Sequence, residues 1–234
     1  MKDPEPQRNG SFSDADLAAE CTEKHDALLA NLPALAAEGL TQAMLTAFQQ
    51  QIKAFQALPT DENMLYAIGT NTGKRDVALE AARTGLRHAA NPIDRAYGDR
   101  SPEYRSLAVG NISRKTVPQV LQTLLTVPTV GAAFVNDPKA VAEGFSEARL
   151  TALAPLYTAL FEWESKMHAA ETARTTATRT RVLAYNALNT LCSNYCARGY
   201  DHFVEKDQQR AQLFVRNPAS EDGSSTTPNE PPNA

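Results

Sequence analysis

From Thr151 to about Asp207 the chain offers two potential helix breakers, Pro155 and Gly199. Ala, Leu, Glu, Gln and Arg dominate this stretch, and they are the strongest helix formers. With Thr151 as the N-cap, Pro155 falls in the first turn, where its missing N–H costs no bond. About 55 helical residues at roughly 1.5 Å each reach about 80 Å, more than a compact domain needs. The spacing predicts one very long helix that either protrudes or bends near Gly199 or in its polar centre.

The seam of this helix changes along its length. Leu153, Leu156, Leu160 and Met167 are large; Ala170, Ala173, Ala177 and Ala184 are small; Leu188, Leu191 and Tyr195 are large again. Small seam residues let a partner helix approach closely. No segment shows the β-branched and aromatic alternation of a strand.

Earlier segments read as shorter helices. Ser13 or Asp14 caps a first helix striped by Leu17, Cys21, His25, Leu28 and Leu32, ended by Pro33. Thr41 opens a second, with Met44, Phe48, Ile52 and Phe55, stopping before Pro59. A third starts at Thr60-Asp61-Glu62, is weakened at Gly69–Gly73, reads strongly through Val77, Leu79, Ala82 and Leu86, and kinks or ends at Asn91-Pro92. Residues 98–116 form an irregular connector between helical halves, with a local helix start at Ser101-Pro102-Glu103. The fold class is therefore all-α: an elongated antiparallel bundle with one very long C-terminal helix. It occupies 13–207 and lies between polar tails, 1–12 and 208–234, that bury too little apolar surface to order themselves.

Charge is uneven. Residues 1–62 carry ten acids and four bases, 74–115 nine bases and five acids, 174–216 seven bases and three acids. This pattern predicts acidic helices lying against basic ones. A net charge of −4 argues against a general nucleic-acid binder. No apolar run approaches a bilayer span, and the polar start lacks the apolar core of a signal peptide, so no membrane association and a cytoplasmic location are expected.

Cys21, Cys192 and Cys196 are an odd, sparse set that fits a reducing compartment. Cys192 and Cys196 share a helix face, but a pair cannot complete a tetrahedral zinc site, and they read as small core residues. Gly69-Thr-Asn-Thr-Gly73-Lys74-Arg75 imitates a P-loop with one residue too few between its glycines and no Ser or Thr after the lysine. A di-metal bundle would need Glu-x-x-His on two helices, which this chain lacks. Glu164, His168 and Glu171 share one helix face and read as a solvated trio. His25, His88 and His202 stand beside no nucleophile in sequence. No catalytic residue, cofactor or metal is expected, and the chain reads as a non-enzyme.

The best polar candidate is the connector, where Arg100, Tyr104, Arg105, Arg114 and Lys115 could hold an anion or an acidic partner, or pair with the acidic helices. Tyr97-Gly98-Asp99-Arg100-Ser101-Pro102-Glu103-Tyr104, then Gly110 and Arg114-Lys115, resembles a short signature of uncharacterised bacterial helical-bundle proteins. The likeness covers about 20 residues, lacks the family's Gly-Thr-Arg run, and implies a helical fold and no activity. The sequence favours an interaction or structural protein that meets a helix of its own or another chain through Ala170, Ala173 and Ala177, with homo-oligomers possible in principle. The rival readings are a nucleic-acid or anion binder using the connector with Arg174, Arg179 and Arg181, and a small-molecule or metal-binding bundle.

Overall fold

The computed structural model describes residues 5–216, so the tail residues 1–4 and 217–234 lie outside the described residues. Every regular element among the described residues is a helix, as an all-α bundle requires. The described residues divide into two units, 5–59 with 176–216, and 60–175.

In the first unit, α1 (Asp14–Ala30) starts at Ser13, whose Oγ accepts from the Asp16 N–H at 3.1 Å. A short turn, α2 (Leu32–Leu35), carries Pro33 where its missing donor is harmless. Next comes α3 (Gln42–Gln56), capped by Thr41. The later part of a long helix completes the core, contributing Tyr185, Leu188, Cys192, Tyr195 and Phe203 against Leu17 and Leu28 of α1 and Phe48 and Ile52 of α3.

Both ends of this unit are more ordered than composition suggests. Asn9 donates from its backbone N to Asn186 Oδ1 at 2.8 Å and from Nδ2 to Thr190 Oγ1 at 3.0 Å. Tyr185 donates to the Phe12 carbonyl at 3.1 Å. A Cβ on Gly10 would stand 2.8 Å from Asn189 Nδ2, so this close approach requires glycine. At the other end α10 (Gln208–Gln212) is capped by Asp207, and Ala211 and Phe214 are buried in the core. The boundary expected at residue 208 therefore lies too early, because Phe214 has enough apolar surface to anchor its turn.

In the second unit α4 (Asp61–Tyr97) starts at Thr60 and runs unbroken through Gly69, Gly73 and Pro92. Its later half packs Ala82, Leu86, Ala89 and Ile93 into the core, while Val77, expected on the stripe, is 74 % exposed. α5 (Pro102–Ser106) is capped by Ser101 Oγ, which accepts from the Tyr104 N–H at 3.1 Å. α6 (Val117–Gly131) opens with a capping box between Thr116 and Gln119. α7 (Pro138–Ala142) is capped by Asp137. α8 (Glu147–Thr151) leads almost directly into α9 (Leu153–Phe203), the long helix, with Pro155 in its first turn.

Within this unit the first turns of α4 run antiparallel to α9. Arg174 makes a two-bond pair with Asp61 at 2.7 and 2.9 Å, and Arg75 approaches Glu164 at 4.0 Å. Lys74 lies over the Trp163 ring, 4.8 Å from its centre.

Candidate functional site

Helix α6 is chemically unlike the rest of the molecule. No charged residue occurs between Lys115 and Asp137, in a chain that is 21 % charged. Val120, Thr123, Leu124, Val127 and Gly131 face the core of the second unit. Yet only 28 % of the window Val117–Phe134 is buried. By length and composition this window is long and apolar enough to cross a membrane, contrary to the expectation that no apolar run approaches a bilayer span. The α-helix itself covers 15 residues, or about 22 Å at 1.5 Å per residue, short of the roughly 30 Å hydrocarbon layer.

The exposed side of α6 lines an apolar groove of about 660 Å³. Leu125 and Pro128 form one wall and Ala154 and Tyr157 the other, with the buried Leu124 and Leu150 at the base. Leu125 is 51 % exposed. The Tyr157 ring stacks on Phe161, itself 53 % exposed, with ring centres 5.9 Å apart, so apolar surface continues along α9. A Cβ at Gly131 would come within 2.8 Å of Leu150 Cδ2, so glycine sets how closely the walls approach. Glu147 is the one charged side chain lining the groove.

The connector residues do not converge on one site. Arg100, Arg105 and Arg114 are exposed, and Tyr104 is half-buried against the core. Burial pushes the Tyr104 phenol above its usual value, with Asp94 and Asp99 adding to the effect. Lys115 is half-buried in a separate small pocket. Among the described residues none of these four bases pairs with a carboxylate. Along the alanine seam, Ala173 is exposed and Ala170 and Ala177 are half-buried.

Acid–base pairs also form inside the first unit. Arg181 pairs with Asp14 and donates to the Leu58 carbonyl at 2.9 Å. Arg216 reaches Glu20 at 2.6 Å and His202 reaches Glu38 at 2.9 Å. Arg174, Arg181 and Arg179 all have protein partners, which weakens a nucleic-acid surface built on them.

Cys21, Cys192 and Cys196 are all buried and form no disulfide. Cys192 Sγ lies 4.0 Å from Cys196 Sγ, and Cys21 joins them from α1, a convergence sequence spacing could not show. Hydrogen bonds to Cys192, then burial, hold the Cys21 and Cys196 thiols well above their ordinary values. Cys192 is lowered because it accepts from both neighbours, with Arg216 and Lys24 adding positive potential. The Glu164 and Glu171 carboxylates flank the His168 ring nitrogens at 3.2 and 3.3 Å. Among the described residues no group of three or more His, Cys, Asp or Glu side chains is placed to hold a metal ion. The chain matches no protein-family model, no curated protein and no solved structure.

Proposed function

We propose that this chain is a non-enzymatic helical interaction module whose second unit takes up the apolar face of a helix from a protein partner. The observation that carries this reading is the groove beside α6, in which an uncharged helix leaves Leu125 half in solvent opposite Ala154 and Tyr157. Exposed apolar surface of this kind gains most when covered by another apolar face. A helical ligand would lay residues spaced i, i+3, i+4 and i+7 into it. Glu147 at the wall favours a ligand with a basic flank.

The test is a titration of the full chain with a synthetic amphipathic peptide bearing leucines at that spacing and lysines along one flank. Backbone amide shifts on α6 and α8 report occupancy. Saturable binding is expected, weakened about tenfold or more by Leu125→Glu and unchanged by Val77→Glu, an exposed apolar site outside the groove. Absence of saturation, or equal binding by Leu125→Glu, would overturn the reading.

A further inference from the structure

Lys115 carries a positive charge that no carboxylate around it balances. Its ammonium donates to the Ala108 carbonyl and, at 2.9 Å, to Thr123 Oγ1. Thr123 gives its own proton to the Gln119 carbonyl at 2.8 Å, so it meets Lys115 as an acceptor. An ammonium has three N–H donors, and one therefore remains. Burial lowers the Lys115 pKa, and no acid contributes in the opposite sense.

This group lies in a pocket of about 260 Å³ lined by Ala108, Lys115, Gln119, Gln122, Thr123 and Thr126. Three features fit the pocket to a ligand. The wall from α6 supplies two glutamine amides and the Thr126 oxygen, whose own proton goes to the Gln122 carbonyl at 2.9 Å, and no second charge. The Gln119 side-chain oxygen Oε1 is occupied by the Thr116 N–H at 3.0 Å, which leaves its side-chain Nε2 donors. Ala108 adopts left-handed backbone at φ 53° without being glycine, and its carbonyl accepts from Lys115.

We infer that this pocket binds a small monocarboxylate, whose anion takes the free Lys115 Nζ donor and the Gln119 side-chain amide, while Gln122 Oε1 and Thr126 Oγ1 accept from a hydroxyl on the ligand. One cation with one free donor suits a single negative charge. A phosphate dianion calls for more donors, usually an Arg fork or a run of backbone amides. The volume lies below the roughly 300–1,000 Å³ of drug-sized sites, which restricts the ligand to a few heavy atoms. The pocket uses a different face of α6 from the apolar groove and stands or falls independently of it.

Amide shifts of Gln122 and Thr123 in the full chain, titrated with acetate and L-lactate at constant ionic strength, test the proposal, with inorganic phosphate as the comparison. Saturable shifts with the carboxylates are expected, lost in Lys115→Met. That substitution also removes the donor to Ala108, so Gln122→Leu with Thr126→Val provides a second test at the surface. The double variant keeps the melting temperature and weakens lactate about threefold to tenfold. No saturation, tighter binding of phosphate than of either carboxylate, or unchanged affinity in both variants would overturn the assignment.

Discussion

Arg149 donates from Nη1 to the backbone oxygen of His88 at 2.7 Å, and that oxygen is the one Pro92 leaves without a helical donor. A proline inside a helix removes the bond to the carbonyl four residues back. Here a side chain 61 residues further along supplies it, while Arg149 Nε also holds the Gly144 carbonyl at 2.8 Å. This is how α4 continues to Tyr97 past a residue that sequence marks as a kink or an end.

Arg149→Met should therefore destabilise the protein by about 1–2 kcal/mol, because two carbonyls lose a charged donor near the surface. In a Pro92→Ala background the helix regains its own donor to His88. The same substitution should then cost about 1 kcal/mol less. Urea unfolding of the four proteins measures the difference. An equal cost in both backgrounds would mean that the bond to His88 contributes nothing to the passage through Pro92.

A pH effect is expected at Tyr97, whose hydroxyl donates to Asp137 Oδ1 at 2.6 Å. That bond, reinforced by burial, pushes the phenol from 10.0 to about 12. The same bond, with the Ala140 N–H, holds the carboxyl of Asp137 below 3.8. For Tyr97 the folded state keeps a proton that the unfolded chain releases. Its contribution is complete below pH 10.0 and is lost as pH rises through about 12. For Asp137 the contribution is present above pH 3.8 and is lost as pH falls through its lower folded value. Ultraviolet titration of the phenols should show a late-titrating component that moves toward 10.0 in Asp137→Ala. A titration curve indifferent to Asp137→Ala would remove the coupling.

Glycines in the long helices should respond with opposite signs. A Cβ at Gly69 or Gly73 meets nothing within 4 Å, so Ala at either position should stabilise α4 by about 0.5–1 kcal/mol. At Gly199 a Cβ would stand 2.6 Å from the Phe214 ring, and Ala there should destabilise by about 1–3 kcal/mol. Thermal melting of the three single variants checks both directions. A loss at Gly69 and Gly73 would show that their surroundings differ from open solvent.

The sequence by itself determined the helices and most of their starts. Ser13, Thr41, Thr60 and Ser101 each cap a helix by accepting from an N–H three residues on, a bond that depends on local chain geometry alone. The uncharged stretch from Thr116 to Asn136 was equally legible as composition, but which of its faces would be core and which groove was not. Apolar residues occur all round α6, so periodicity left its orientation open.

Only the tertiary structure decided which polar groups have partners. Charge counts could not assign Arg181 to Asp14 or Arg174 to Asp61, or leave Lys115 among neutral acceptors, because those partners are distant in the chain or brought near by a left-handed turn. Gly199 read as a possible break because sequence shows its poor helix propensity and not the Phe214 ring that needs the space. The segment around Asn9 read as loose because its bonding groups, Asn186 and Thr190, are on a helix that folding alone brings beside it. Propensity and capping act over a few residues, whereas burial and hydrogen-bond satisfaction are settled by whatever the fold places alongside.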